Sequence, residues 1–186
     1  VIGQMMEKVT LPAPRPRRTE AEIIEQCPWA ANGRREGRKP NIITSLELDP
    51  AVMEQRNLHL QAKYAEIEEK EIRYEEIDCE DAEYLIVAFG SCARIAQKAI
   101  EHAREKGVKV GLFRPITLWP FPSKPLYERS KQLTGILVVE LNSGQMIEDV
   151  NLAVKCSIPV EHFGRLGGIV PDPDEVVEAL EKLINR

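Results

Sequence analysis

The sequence predicts an α/β protein. A three-layer α/β/α domain on a mostly parallel sheet fills residues 80–186, preceded by an extended, Pro-rich and helical extension. Three observations carry this. Short apolar runs with no polar alternation recur between amphipathic stretches in the second half, as in strands buried on both faces. Strand and helix signals alternate regularly there, which implies right-handed βαβ crossovers covered by helices. The first part has a different composition: six of the 13 prolines fall in its first 50 residues, and residues 1–40 hold eight basic side chains against five acids.

The first segment, residues 1–48, reads as strap and loop. In Leu11-Pro-Ala-Pro-Arg-Pro16 each proline fixes φ and removes an N–H donor, so the run is extended rather than helical. Residues 28–40 also read as loop. Residues 49–79 form an acidic helical arm that begins at Asp49-Pro50, an N-cap followed by proline in the first turn. Met53, Leu60, Tyr64 and Ile67 mark a narrow apolar face, typical of a solvated arm or one lying along another surface. Residues 66–83 hold ten acids against Lys70 and Arg73. A solvated face is the favoured reading of that run, and a docking surface for a basic partner is the alternative.

From residue 80 the elements follow in order. Tyr84-Leu-Ile-Val-Ala-Phe89 is a strand ending at Gly90, and Ser91 is placed as the cap of a helix lined by Ile95, Ala96, Ala99, Ile100 and Ala103. Lys106-Gly107 ends that helix. Val108-Lys-Val-Gly-Leu-Phe113 is the second strand, and prolines 120, 122 and 125 precede a short helix over residues 126–133. Gly135-Ile-Leu-Val-Val-Glu140 is the third strand, with Ser143 placed as the cap of a helix that buries Met146, Ile147, Val150 and Val154. Ile158-Pro-Val-Glu-His-Phe163 is the fourth strand. The last helix has the clearest start: Asp172 as cap, Pro173 in the first turn and Glu175 closing a capping box.

Composition narrows the function classes. The 186 residues carry a net charge of -5, and 43% of them are hydrophobic. No apolar run approaches the roughly 18 residues of a membrane span. A pI near 5.4 argues against a nucleic-acid partner. Cys27, Cys79, Cys92 and Cys156 have no CxxC or compact metal spacing, so no metal site is expected within the chain, and reduced cytoplasmic thiols are the default. The chain opens on Val1 rather than Met and is read as the end of a longer subunit.

Ligands of open α/β sheets sit beyond the carboxyl ends of the strands, so the loops there hold the candidate sites. Gly90, Ser91 and Cys92 offer amides at a helix N-terminus, a weak anion site. The segment lacks GxGxxG and Walker spacing, and a plain βα turn is favoured. Cys92 could be a nucleophile activated by that helix end, with His102 or His162 as base; a small buried residue is the favoured reading. Arg114-Pro-Ile-Thr-Leu-Trp-Pro-Phe-Pro122 holds Trp119 and Phe121 on a proline-stiffened loop, where they close the core edge or anchor another subunit. In Gly164-Arg-Leu-Gly-Gly168, Arg165 is available for a carboxylate, while Gly167 and Gly168 serve turn geometry or a contact. No carboxylate pair stands out as an acid–base couple.

These loops carry a resemblance. Residues 114–122, the run Val138-Val-Glu-Leu-Asn-Ser-Gly-Gln-Met-Ile-Glu-Asp-Val150 and residues 164–168 resemble the C-terminal part of the alpha subunit of 2-oxoacid:ferredoxin oxidoreductases. Asn57-Leu-His-Leu-Gln61 and Arg73-Tyr-Glu-Glu76 resemble the 2-oxoisovalerate form, and Gly3-Gln-Met-Met6 resembles the tail of the preceding pyrimidine-binding domain. The resemblance implies a thiamine diphosphate enzyme that decarboxylates a 2-oxoacid, passes electrons through iron–sulfur clusters to ferredoxin, and delivers the acyl group to coenzyme A. It implies a transketolase C-terminal-like domain with a five-stranded sheet and one antiparallel edge strand, for which residues 42–45 are the candidate. It further implies that thiamine diphosphate, Mg²⁺ and cluster ligands lie outside this chain, so that no catalytic residue is assigned and the chain alone is inactive. Arg114, Trp119, Phe121, Arg165, Gly167 and Gly168 are then candidates for contact with the pyrimidine-binding domain and other subunits, with ferredoxin reached only indirectly. Such surfaces, left uncovered, favour a homodimer of the isolated chain.

Overall fold

The computed structural model describes residues 13–14, 16–29, 42 and 44–186, which fall into two compact units, one holding residues 62–186 and the other lying within 7–61. The smaller unit contains the helix α1 (Glu20–Gln26), opened by a full capping box between Thr19 and Glu22. The expected strap at residues 11–16 and the loop at 28–40 lie largely outside the described residues, as does the motif at residues 3–6.

The long helix α2 (Pro50–Lys70) runs from one unit into the other and buries no residue. Met53, Leu60 and Ile67 are half-buried along it, as the narrow apolar face requires. It ends sooner than the sequence suggests. Residues 74–77, assigned to the acidic arm, are instead the strand β1 (Tyr74–Ile77).

The remaining elements are β2 (Tyr84–Ala88), α3 (Gly90–Glu105), β3 (Val110–Pro115), α4 (Ser123–Ser130), β4 (Gly135–Glu140), α5 (Met146–Ala153), β5 (Val160–Gly164) and α6 (Pro173–Ile184). The sheet order is β1-β3-β2-β4-β5, parallel throughout except for β1, which pairs antiparallel with β3. The expected antiparallel edge strand therefore exists but is Tyr74–Ile77; residues 42, 44 and 45 are not strand. An edge strand is half solvated, so it tolerates acids that would be costly in the interior. Glu75 pairs with Arg114 of the neighbouring strand at 2.9 Å, and Tyr74 stacks on the buried Phe113 with ring centroids 5.1 Å apart.

Successive side chains of a strand face opposite ways, and the two cores follow from that. Ile86, Ala88, Val110, Leu112, Leu137 and Val139 face the α3 and α6 layer. Leu85, Val87, Phe113, Ile136 and Val138 face the α4 and α5 layer. Each fully buried aliphatic side chain contributes roughly 1.5–3 kcal/mol relative to exposure. Alanines 96, 99 and 103 of α3 let that helix approach both the sheet and α6. The start of α6 is as the sequence predicts: Asp172 accepts from the Asp174 amide, and Glu175 accepts from the Asp172 amide at 3.0 Å.

Candidate functional site at the carboxyl end of the sheet

The chain leaves β2 toward β3 on one side and returns past β2 to β4 on the other. The order thus reverses between β2 and β4, and the crevice outside their carboxyl ends is where such sheets bind ligands. On the β2 side, Gly90 has φ 55, and α3 begins at Gly90 with Phe89 at the N-cap position and no side-chain cap. Ser91 lies inside the first turn, so its expected capping role is not observed. The left-handed glycine turns the chain straight into the helix one residue early.

Cys92 is 4% exposed and packs among the α3 and α6 residues. Burial, and then the charge of Glu140, push its thiol up to about 11. A thiol that stays protonated at neutral pH is a poor nucleophile. Both candidate bases face carboxylates: His102 Nδ1 lies 3.2 Å from Asp174, and His162 Nε2, buried without a hydrogen-bond partner, lies 3.8 Å from Glu140.

On the β4 side, the residue that matters is Glu140. It is 1% exposed, and its carboxylate accepts from the amides of Gln145, Met146 (2.9 Å) and Ile147 (3.1 Å) and from the Asn142 side chain (3.0 Å). These are the orphan donors of the α5 N-terminus. Glu140, not Ser143, caps that helix. The sequence did contain a signal for it, an acid closing an otherwise apolar strand a few residues before a helix. Asp149 on α5 is held above the usual carboxylate range by burial and by the charges of Glu148 and Glu140.

The aromatic loop after β3 splits its two residues. Phe121 is half-buried and packs on the α4 and α5 core. Trp119 is 56% exposed and meets Tyr64 edge to face, centroids 5.7 Å apart. The Trp119–Pro120 bond is cis. The loop is tied to the start of β1, since Ile116 and Thr117 amides both donate to the Arg73 carbonyl. Arg114 is engaged by Glu75. Arg165 lies 3.3 Å from Glu175, and its amide donates to the Glu140 carbonyl, so its carboxylate partner comes from its own chain. Gly167 and Gly168 have φ 64 and 82 and open space around them, which the turn requires. Ile116, Leu118, Leu141, Leu166 and Ile169 join Trp119 as exposed apolar side chains of these loops. Sequence periodicity did not mark them, because they belong to no helix or strand face.

Cys79 lies under the α4 and α5 layer and Cys92 under the opposite one. Among the described residues, no three His, Cys, Asp or Glu side chains converge to hold a metal. These side chains do not fit an iron–sulfur cluster or a Mg²⁺ site. No helix among the described residues is long and apolar enough to cross a membrane.

Residues 82–176 match the family model described as pyruvate:ferredoxin oxidoreductase core domain II. The chain belongs to that family. The match spans β2 to the start of α6 and so covers the crevice and all three apolar loops. Relatives of this core domain II chain include the ketoisovalerate oxidoreductase subunit VorB of Methanothermobacter thermautotrophicus, 42% identical over 98% of this chain and 50% of that protein. A second is the 2-oxoglutarate synthase subunit KorA of Archaeoglobus fulgidus, 28% identical over 97% of this chain and 50% of that protein. The chain thus spans about half the length of the curated relatives it matches. The fold is shared with a 2-oxoglutarate:ferredoxin oxidoreductase from Magnetococcus marinus, with TM-score 0.64 and 20% identity over 83% of this chain and 28% of that one. A split-gene transketolase shares it with TM-score 0.53 and 19% identity over 61% of this chain and 41% of that one. The expected five-stranded sheet with one antiparallel edge strand is thereby borne out.

Proposed function

We propose that this chain is a structural and interface domain of a 2-oxoacid:ferredoxin oxidoreductase subunit. The enzyme it serves is thiamine diphosphate-dependent and oxidatively decarboxylates a branched-chain 2-oxoacid to an acyl-CoA. The observation that carries this reading is the 42% identity to a ketoisovalerate oxidoreductase subunit across 98% of the chain. The site geometry supports the interface part. Exposed apolar side chains sit on loops whose backbones are tied down, which lowers the ordering cost of docking, and such patches mark protein contacts. Trp119 is the anchor, with Leu118 on its own loop and Leu141, Leu166 and Ile169 on the loops that follow β4 and β5. Its partners are the pyrimidine-binding part of the same subunit and the companion subunits; ferredoxin is met elsewhere in the complex. Thiamine diphosphate, Mg²⁺, iron–sulfur clusters and coenzyme A are held outside this chain, which supplies no catalytic group and works in the cytoplasm.

The test has two arms. Calorimetry of the isolated chain with thiamine diphosphate and Mg²⁺ is expected to show no binding, and micromolar affinity would overturn the reading. In the full complex, Trp119→Ala is expected to weaken subunit assembly while leaving the unfolding midpoint of the isolated chain nearly unchanged. Assembly indifferent to that substitution would remove Trp119 from the interface.

A further inference from the structure

We propose that the N-terminus of α5 is an anion site that this chain fills with its own Glu140 carboxylate. The β4 side of the crevice where a sheet of this topology binds phosphates or carboxylates is therefore closed to free anions. The inference rests on this site alone and is independent of the enzyme to which the chain belongs.

The first amides of a helix have no partner within it, and the aligned peptide dipoles put partial positive charge at that end. A phosphate or carboxylate is the ligand they usually take. At α5 the residue in the N-cap position, Gln145, makes no side-chain cap. The acceptor comes from the end of β4 instead. Glu140 Oε2 accepts from the amides of Met146 at 2.9 Å and Gln145 at 3.2 Å and from Asn142 Nδ2 at 3.0 Å, while Oε1 accepts from the amides of Ile147 at 3.1 Å and Gln145 at 3.2 Å. Both oxygens are thus occupied as those of a bound formate would be, and the side chain is closed off from solvent.

The surroundings are built around that carboxylate. Asn142 Oδ1 accepts from the Gly144 amide at 2.7 Å, and Gly144 has φ 107, so residues 141–145 wrap over the site. From β5, Gly164 passes so close that a Cβ there would run into the Asn142 carbonyl oxygen and the His162 ring. The Arg165 amide donates to the Glu140 carbonyl. One residue therefore ties together the loops that follow β4 and β5. Its charge also reaches across the crevice, where it helps raise the Cys92 thiol.

The test is chemical rescue of the 186-residue chain. Glu140→Gly removes the carboxylate and leaves a space that formate or acetate fits. In sodium chloride this variant is expected to unfold at a lower temperature than the wild type, with the amides of residues 145–147 exchanging at least about tenfold faster, as the loss of charge-assisted hydrogen bonds implies. Sodium formate at equal ionic strength is expected to reverse both changes and to saturate, while the wild type responds identically to the two salts. Formate no better than chloride, or amides still protected in chloride, would overturn the proposal. If Glu140→Gly does not fold in chloride, the readout becomes the refolding yield in formate against chloride, and equal yields overturn the proposal. Glu140→Gln keeps the space filled and is expected to stay folded with a lower midpoint and no gain from formate. A gain equal to that of Glu140→Gly would mean a general salt effect and would also overturn it.

Discussion

Gly111 sits where β3 passes the turn between β1 and β2, and a Cβ there would lie 2.8 Å from both the Asp78 carbonyl oxygen and Cys79 Sγ. Neither neighbour can retreat easily. Asp78 has φ 55 and its carbonyl is already held by Arg104 at 2.6 Å, while Cys79 is buried and its thiol points at the Leu112 carbonyl. Gly111→Ala is therefore expected to destabilise the domain by about 1–3 kcal/mol, in the range of core overpacking, and urea unfolding measures it; an unchanged midpoint would mean the turn yields freely. The thiols themselves give a pH prediction. Burial pushes both Cys79 and Cys92 from 9.0 up to about 11. Between those values the unfolded chain loses the protons that the folded chain keeps, so stability is full below pH 9 and falls as pH rises toward 11, by up to about 1.4 kcal/mol per unit of gap and per thiol. Replacing both cysteines by alanine should flatten that fall. At neutral pH, alkylation of the folded chain is expected to reach the exposed Cys156 well before Cys92, and equal rates would contradict the burial.

Two arginines from opposite layers hold the β1–β2 turn. Arg104 of α3 reaches the carbonyls of Asp78 and Val110 and the carboxylate of Asp81. Arg129 of α4 grips Glu76 with two nitrogens, at 3.0 and 2.6 Å, and donates to the Cys79 carbonyl at 3.0 Å. The Arg129–Glu76 pair is largely screened from solvent, at 22% and 27% exposure, and bidentate pairs of this kind are among the stronger ones. Arg129→Ala is expected to cost about 1.5–3 kcal/mol, and Arg129→Lys to recover little, because an ammonium cannot span both oxygens and the carbonyl. A double-mutant cycle with Glu76→Gln checks it; a coupling near zero would reduce the pair to surface decoration. The same contacts explain what the sequence conceals. The β2, β3 and β4 runs and the Asp172–Glu175 capping box are legible because their signals are local, either an unbroken apolar stretch or an acceptor three residues from its donor. β1 is not. Its Tyr-Glu-Glu-Ile string looks like a continuation of the acidic helix, and the cations that neutralise it, Arg114 and Arg129, lie 39 and 53 residues away. Glu140 falls between these cases. Its place at the end of an apolar strand was visible, yet its role depends on how residues 141–145 fold back on it. Trp119 and Phe121 were legible as a pair, but which one faced the core was set by the tie between residues 116–117 and Arg73.

For the whole molecule, the unit holding residues 62–186 contains both apolar clusters and every strand among the described residues. A domain of that size buries roughly two-thirds of its extended surface, enough for independent stability. Among the described residues, the smaller unit contributes none to either cluster. A chain shortened to residues 62–186 is therefore expected to unfold in one cooperative transition, with a midpoint within about 4 °C of the full chain, the shift that roughly 1 kcal/mol produces at this size. It retains a single tryptophan, Trp119, whose edge-to-face contact is Tyr64 at the start of the segment. Shortening further to residues 71–186 removes that ring. The emission of Trp119 should then move to longer wavelength while the unfolding midpoint changes little, because neither Tyr64 nor any other residue of α2 is buried. A large loss of midpoint on removing residues 62–70 would mean that the helix stabilises the domain rather than merely lying along it. The absence of any cooperative transition in residues 62–186 would mean that the sheet needs the preceding unit to fold.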